Sequence, residues 1–230
     1  MKIGGLQRTT LLDFPGKVAA TIFTVGCNLN CPFCHNPELV NCSADLIDES
    51  LFFEFLNERK KLIDGVCITG GEPTLQPDLY EFIKKVKDQN FLVKLDTNGL
   101  KPEVIELLIK DDLLDYIAMD IKAPWKKYNQ VVDREIDVEK IKRSFELIKE
   151  STVEHEFRST VLPPLHPRSD IIEMAQQIKG AKKYFIQQFM PAEKLVDPKH
   201  SQTRPYTKKE LDGIIEEIKD WFELCELRGV

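Results

Sequence analysis

The chain has 230 residues, 42% hydrophobic and 30% charged, with a formal net charge of −6. That length can bury a sizeable core, and one domain spanning 1–230 is expected. The acidic balance argues against nucleic acid as a partner. No apolar run is long enough to span a membrane, and residues 1–8 lack the apolar centre of a signal peptide.

In chain order, residues 9–16 end in a Pro15-Gly16 turn, and 17–24 read as a buried strand. That strand runs straight into Gly26-Cys27-Asn28-Leu29-Asn30-Cys31-Pro32-Phe33-Cys34-His35-Asn36. A helix is expected over about 49–61, with Leu51, Phe52, Phe55, Leu56 and Leu62 as its apolar stripe. Residues 65–69 form a second strand, followed by Gly70-Gly71-Glu72-Pro73. A helix near 78–88 then gathers Leu79, Phe82, Ile83 and Val86 on one side.

The alternation continues. A third strand, 91–95, ends in Asp96-Thr97-Asn98-Gly99, and Pro102 opens a helix carried by Val104, Ile105, Leu107 and Leu108. Residues 116–121 are the fourth strand, broken at Ala123-Pro124-Trp125, with a helix near 138–149. The fifth strand, 154–161, closes at Pro163-Pro164; Ser169 is expected to cap a helix to about 178. The sixth strand is 183–188, and after a Pro-bearing loop one amphipathic helix is expected from 208 to about 227. Six strand–helix units imply an α/β fold with a parallel sheet and helices outside. Six are too few for the eight-fold TIM barrel and suit a partial, splayed (β/α)6 barrel.

Active sites of such folds sit at the C-terminal ends of the strands, and the polar signals of this chain cluster there. Cys27, Cys31 and Cys34 have the spacing C-x3-C-x2-C in one short loop. Thiolates are soft ligands, so an iron–sulfur cluster or zinc is implied. Zinc would be closed by a fourth ligand such as His35 or Cys42; a cubane held by three thiolates keeps one iron open. Cys42, Cys67 and Cys225 are scattered, so no disulfide framework is read, and a reducing cytoplasm is expected.

Gly70 and Gly71 permit close approach of backbone to a ligand, and Glu72 could accept from an ammonium group. Asp96, Thr97 and Asn98 end the third strand, either as a ligand contact or as a plain Asn-Gly turn. Asp120 and Lys122 flank Ile121 and point the same way, poised over a ligand or merely paired with each other. Arg158, in the fifth strand, is compensated by a ligand carboxylate or by Glu154 or Glu156.

The motif Cys27-x3-Cys31-x-Phe33-Cys34, with an aromatic before the last cysteine, resembles the signature loop of the radical S-adenosylmethionine (radical SAM) enzymes. The resemblance implies a [4Fe–4S] cluster on the three cysteines, whose open iron chelates the methionine moiety. One-electron cleavage then gives a 5′-deoxyadenosyl radical. It places Gly70, Gly71 and Glu72 at the methionine amino group, and Asp96, Thr97 and Asn98 at the methionine or ribose. Phe33 fits a loop whose aromatic can lean on a flat cofactor group, and His35, adjoining the loop, is either a donor behind the cluster or a surface or structural residue. Asp120, Lys122 and Arg158 complete the site. Asp13-Phe14-Pro15-Gly16-Lys17 and Cys-Pro-Phe-Cys-His-Asn-Pro-Glu-Leu resemble the glycyl-radical-enzyme activating branch. Within it they are similar to the anaerobic ribonucleoside-triphosphate reductase activating proteins, with pyruvate formate-lyase activators nearby. The implied partners are a glycyl radical enzyme and a flavodoxin or ferredoxin electron donor. Pyruvate formate-lyase activators carry a cofactor-contacting His after the sixth strand; here Gln188 stands in that region and could substitute for it by hydrogen bonding to the cofactor. A radical enzyme acting on a small molecule, such as a 7-carboxy-7-deazaguanine synthase, is the competing resemblance.

Overall fold

The computed structural model describes residues 1–229. Among them, eight strands form one sheet in strict chain order: β1 (Ile3–Thr10), β2 (Ala19–Thr24), β3 (Gly65–Gly70), β4 (Leu92–Thr97), β5 (Tyr116–Asp120), β6 (Glu154–Val161), β7 (Lys183–Gln188) and β8 (Leu224–Arg228). β1 runs antiparallel to β2, and every later pair is parallel. The expected (β/α)6 unit is therefore β2 to β7, widened by one strand at each edge.

The helices are α1 (Pro37–Val40), α2 (Glu49–Glu58), α3 (Leu79–Asp88), α4 (Pro102–Lys110), α5 (Tyr128–Val131), α6 (Val138–Glu150), α7 (Arg168–Gln177) and α8 (Lys208–Ile218). Their faces reflect the sequence period. α3 buries Leu79, Phe82, Ile83 and Val86, and its last turn carries Lys85 and Lys87, which favour the negative end of the helix dipole. α2 starts where the Asp48 carboxylate accepts from the Ser50 amide at 2.7 Å. It buries Phe52, Phe55 and Leu56, but Leu51 and Leu62, read as part of the same stripe, face solvent. They lie off the face that meets the sheet.

Two edge elements differ from expectation. The glycines of Ile3-Gly4-Gly5-Leu6 mask a strand in β1, because its pairing with β2 rather than local propensity holds it. At the other end, the long final helix stops at Ile218, and Leu224–Arg228 pairs with β7 as β8. Leu211, Ile214 and Ile218 are the buried stripe; Cys225 and Leu227 continue it with period two, which the helical reading absorbed. A capping box starts α8: the Thr207 hydroxyl accepts from the Glu210 amide at 3.3 Å, and Glu210 accepts from the Thr207 amide at 2.7 Å. Ser169 is not a cap: Pro167 holds that position in α7, and the Ser169 hydroxyl turns to Asp170.

All six inner parallel strands point their C-terminal ends to one rim, and the cysteine loop comes directly after β2.

Candidate active site

Gly26 opens the cysteine loop at φ +99°, and its amide donates to the Leu39 carbonyl of α1 at 2.8 Å. Across the loop, the Asn30 amide donates to the Val132 carbonyl at 3.1 Å, and its side chain donates to Asp133 at 2.7 Å. On the far side, Val196 donates to the Cys34 carbonyl at 3.1 Å and Asp197 to the Pro32 carbonyl at 2.9 Å. Leu29, Cys31 and Phe33 are buried, and the Phe33 ring meets the His166 ring edge-on at 5.6 Å. Segments far apart in sequence thus clamp a short loop that could not hold its shape alone.

Gly70 and Gly71 sit against this loop. Gly70 has φ +116°, and a Cβ there would stand 2.3 Å from the Thr24 nitrogen; one on Gly71 would stand 2.1 Å from the Gly26 carbonyl oxygen. The close approach that demands glycine here is to the protein's own backbone. The Gly71 and Glu72 amides donate to the carbonyls of Thr24 and Gly26, each at 2.8 Å.

Glu72 is buried and ties the rim together. It accepts from the Thr74 hydroxyl at 2.6 Å and amide at 3.1 Å, the Thr97 hydroxyl at 2.8 Å and the Asn98 amide at 2.7 Å. Burial drives its carboxyl upward in pKa against those donors. Asn98 is engaged too: its side-chain amide donates to Asn28 in the cysteine loop at 2.8 Å, and its oxygen accepts from the Leu100 amide at 3.0 Å. The turn alternative read for Asn98-Gly99 is realised, with Asn98 also bracing the loop.

The charged groups form a chain across β4, β5 and β6. Arg158 donates through Nε to Asp120 at 3.1 Å and through Nη1 to Asp96 at 3.1 Å; Lys122 donates to the other Asp120 oxygen at 3.1 Å. The partners read for Arg158 are otherwise engaged, Glu154 with Lys183 and Glu156 with Arg228. Burial works to raise the Asp120 carboxyl, but Lys122 and Arg158 override it and hold it at about 2. Burial likewise opposes ionisation of Asp96, and Arg158 with Lys94 still keeps it below the usual carboxylate range. Lys94, buried beneath the site, was not singled out in the sequence. Its signal would have been a lysine two residues before Asp96 in a strand otherwise apolar.

Lys122 is fixed through its backbone: its amide donates to the Tyr128 hydroxyl at 3.1 Å, and its carbonyl accepts from His166 Nε2 at 2.7 Å. His166 Nδ1 accepts from the Leu162 amide at 3.3 Å, so the ring is neutral, and burial lowers its pKa.

These groups surround one cavity of about 230 Å³ at the strand ends. The three cysteines, Phe33, His35, the diglycine with Glu72, the β4 terminus and the Asp120, Lys122 and Arg158 chain all line it; Leu29, Asn36, Val40, Thr69 and Thr160 complete the wall. Gln188 does not line it. The loop after β7 folds back, and the Gln188 amide donates to the Tyr206 carbonyl instead. His35 is exposed at the lip, its Nε2 donating to the Met190 carbonyl at 2.7 Å and its ring stacked on Phe189 at 5.4 Å.

The thiols fit a cluster. Zinc held at about 2.3 Å by each thiolate would gather them round one point. A cubane spreads its thiolates over separate irons, as ligands set around a cavity can do. Burial pushes the Cys27 thiol up to about 11 and the Cys31 thiol up to about 12, so binding there must displace protons. The other cysteines stand apart: Cys67 is buried below Lys94, Cys225 lies on β8, and Cys42 is exposed.

Residues 21–178 match the Radical SAM superfamily. A Methanocaldococcus jannaschii protein provisionally named a glycyl-radical enzyme activating enzyme is 36% identical over 96% of this chain and 98% of its own. The pyruvate formate-lyase-activating enzyme of Clostridium pasteurianum is 33% identical over 53% of this chain and 52% of its own. In fold, Streptococcus suis SuiB bound to S-adenosylmethionine superposes with a TM-score of 0.65 at 16% identity, over 87% of this chain and 48% of that one. Nearly the whole sequence thus aligns with a protein provisionally named an activating enzyme, and its cysteine loop lies inside the matched superfamily region. The chain belongs to the radical SAM superfamily, in the branch of the glycyl-radical enzyme activating enzymes.

Proposed function

We propose that this protein installs a glycyl radical on a partner enzyme, and that the partner is an anaerobic ribonucleoside-triphosphate reductase. The observation that carries the reading is the meeting of three cysteines and an Asp–Arg–Lys chain in one cavity at the strand ends. A loop built to hold zinc needs no such chain.

In this reading Cys27, Cys31 and Cys34 hold the [4Fe–4S] cluster. When bound, the cluster supplies the electron that cleaves S-adenosylmethionine to methionine and a 5′-deoxyadenosyl radical. Lys122 and Arg158 present cationic donors to the methionine carboxylate. Asp96 and Asp120, kept ionised by those cations, fix the donors in place. Glu72 and Asn98 hold the β4 terminus against the cysteine loop, so cofactor and cluster keep one relative geometry. Phe33 walls one side and His35 stands at the lip. The electron donor is a flavodoxin or ferredoxin.

The test mixes the anaerobically reconstituted, reduced protein with S-adenosylmethionine and an anaerobic ribonucleotide reductase. The expected result is 5′-deoxyadenosine and a protein glycyl radical in matching amounts, the radical a doublet in electron paramagnetic resonance. The signal should vanish when the partner's radical glycine is replaced by alanine. Activation of pyruvate formate-lyase alone would reassign the partner. Deoxyadenosine with no protein radical on any glycyl radical enzyme would favour a small-molecule substrate.

A further inference from the structure

Lys94 is a cation the site chemistry does not yet use. It is 1% exposed and lies in the middle of β4. Its ammonium donates to Asp96 Oδ1, and its other contacts are uncharged: Cys67 Sγ at 3.8 Å and the Tyr116 ring, 5.9 Å away. Glu156, another carboxylate within electrostatic reach, is already taken. It accepts from Arg228 Nη1 and Nη2, at 2.7 and 2.9 Å, and from the Tyr116 hydroxyl at 2.9 Å. Among the described residues Asp96 is therefore the one carboxylate that pairs with Lys94.

Burying an ammonium costs several kcal/mol even when it is paired, and Asp96 already has Arg158. The charge balance of the site accounts for that cost. Lys94, Asp96, Arg158, Asp120 and Lys122 form a continuous chain of alternating sign, with three cations and two anions. The excess positive charge stands next to the cavity that Asp96, Asp120, Lys122 and Arg158 line. Without Lys94 the chain is neutral, and Arg158 is shared between two carboxylates with only Lys122 to help. With Lys94 in place, Asp96 Oδ1 is satisfied from the interior and only Oδ2 draws on Arg158. Arg158 Nη2 meets no acceptor among the described residues and is left for a ligand in the cavity.

We infer that Lys94 is a positioning residue for the cofactor. It neutralises Asp96 from inside the barrel, so that Arg158 and Lys122 present a net positive seat to a carboxylate-bearing ligand. The inference rests on the proposed reading of the cavity as the S-adenosylmethionine site.

The experiment measures S-adenosylmethionine affinity by anaerobic calorimetry on the reconstituted protein, with iron content as control. The variants are Lys94→Met, Asp96→Asn and the two combined. Lys94→Met is expected to weaken binding about tenfold in the wild-type background, equivalent to about 1.4 kcal/mol, with iron per chain unchanged. In the Asp96→Asn background the same substitution should cost nothing, because no anion remains for Lys94 to neutralise. Decarboxylated S-adenosylmethionine should bind Lys94→Met as well as wild type. An equal loss in both backgrounds, or none in either, overturns the inference and makes Lys94 a packing residue. If Lys94→Met does not fold, Lys94→Gln is measured in the same two backgrounds, and a failure of both to fold also assigns Lys94 to the core. A wild-type protein that carries its cluster but binds no S-adenosylmethionine would overturn the reading of the cavity, an outcome distinct from those above.

Discussion

Gly71 packs so tightly on Gly26 that a Cβ added to it would stand 2.1 Å from the Gly26 carbonyl oxygen. The opposing atoms are backbone, so no side chain can rotate away. Gly71→Ala is expected to push the two loops apart, at a cost of about 2–4 kcal/mol and with loss of bound iron. Gly213, inside α8, would place its Cβ in open space. Gly213→Ala should stabilise the protein by about 0.4–1 kcal/mol, the chain-entropy gain alone. Urea unfolding of both variants checks the contrast.

Replacing Cys27, Cys31 or Cys34 by Ala should abolish cluster assembly, since each thiolate would hold its own iron. The same change at Cys42, Cys67 or Cys225 should leave iron and sulfide per chain unaltered. Loss of the cluster on altering Cys42 would show that the ligand set is not the three-cysteine loop alone.

Arg228 caps a carboxylate that is 1% exposed: its Nη1 and Nη2 both donate to Glu156. Arg228→Ala leaves that charge buried and unpaired, at an expected cost of about 3–5 kcal/mol. Changing both partners, Arg228→Leu with Glu156→Leu, should recover most of it. Thermal or urea unfolding of the single and double variants decides this.

Acid should destabilise the fold through His155 and His166. Burial holds both below the ordinary imidazole value of 6.5, and His155 Nε2 meets no partner among the described residues. The unfolded chain then binds the protons first. Stability is fully present above pH 6.5 and is lost as pH falls from there toward the folded pKa. Each histidine contributes at most about 1.4 kcal/mol per pH unit in that window. Glu72 acts in the opposite sense, because burial raises its pKa, so the comparison is made between variant and parent. The urea midpoint of His155→Phe, tracked from pH 7.5 to 5.5, should fall less steeply than that of the unmodified protein.

The alternating strand and helix pattern was legible in the sequence because β2, β3 and β5 are short, mostly apolar runs and turn residues bound the rest. β6 and β7 keep the very limits that their residues suggest. The cysteine spacing pointed to a soft-metal centre without help from the fold, and the likeness of the loop to the radical SAM signature chose a cluster over zinc. What escaped depends on partners distant in sequence. β1 and β8 are strands by virtue of β2 and β7, and local propensity gives Gly4-Gly5 and Leu224-Cys225 no such reading. Gln188 ends a strand at the proper rim, yet the returning loop claims its amide at Tyr206. Gly70 and Gly71 are places of close approach, as their residue type suggests, but the approaching atoms are those of Thr24 and Gly26. Lys94 escapes notice because a lysine in a strand is ordinarily at the surface.

The anchors of the cysteine loop set an order of assembly. Strand order equals chain order, so each strand can dock on the one made just before it, as a ribbon growing from one edge. The loop after β2 is the exception: its backbone is pinned by Val132, Val196 and Asp197, all synthesised long after Cys34. A nascent chain can therefore hold a nearly finished sheet while the side of its metal-binding loop that carries Pro32 and Cys34 still lacks its anchors. A fragment ending before residue 189 lacks Val196 and Asp197, and it should keep much of its sheet circular-dichroism signal while retaining iron poorly.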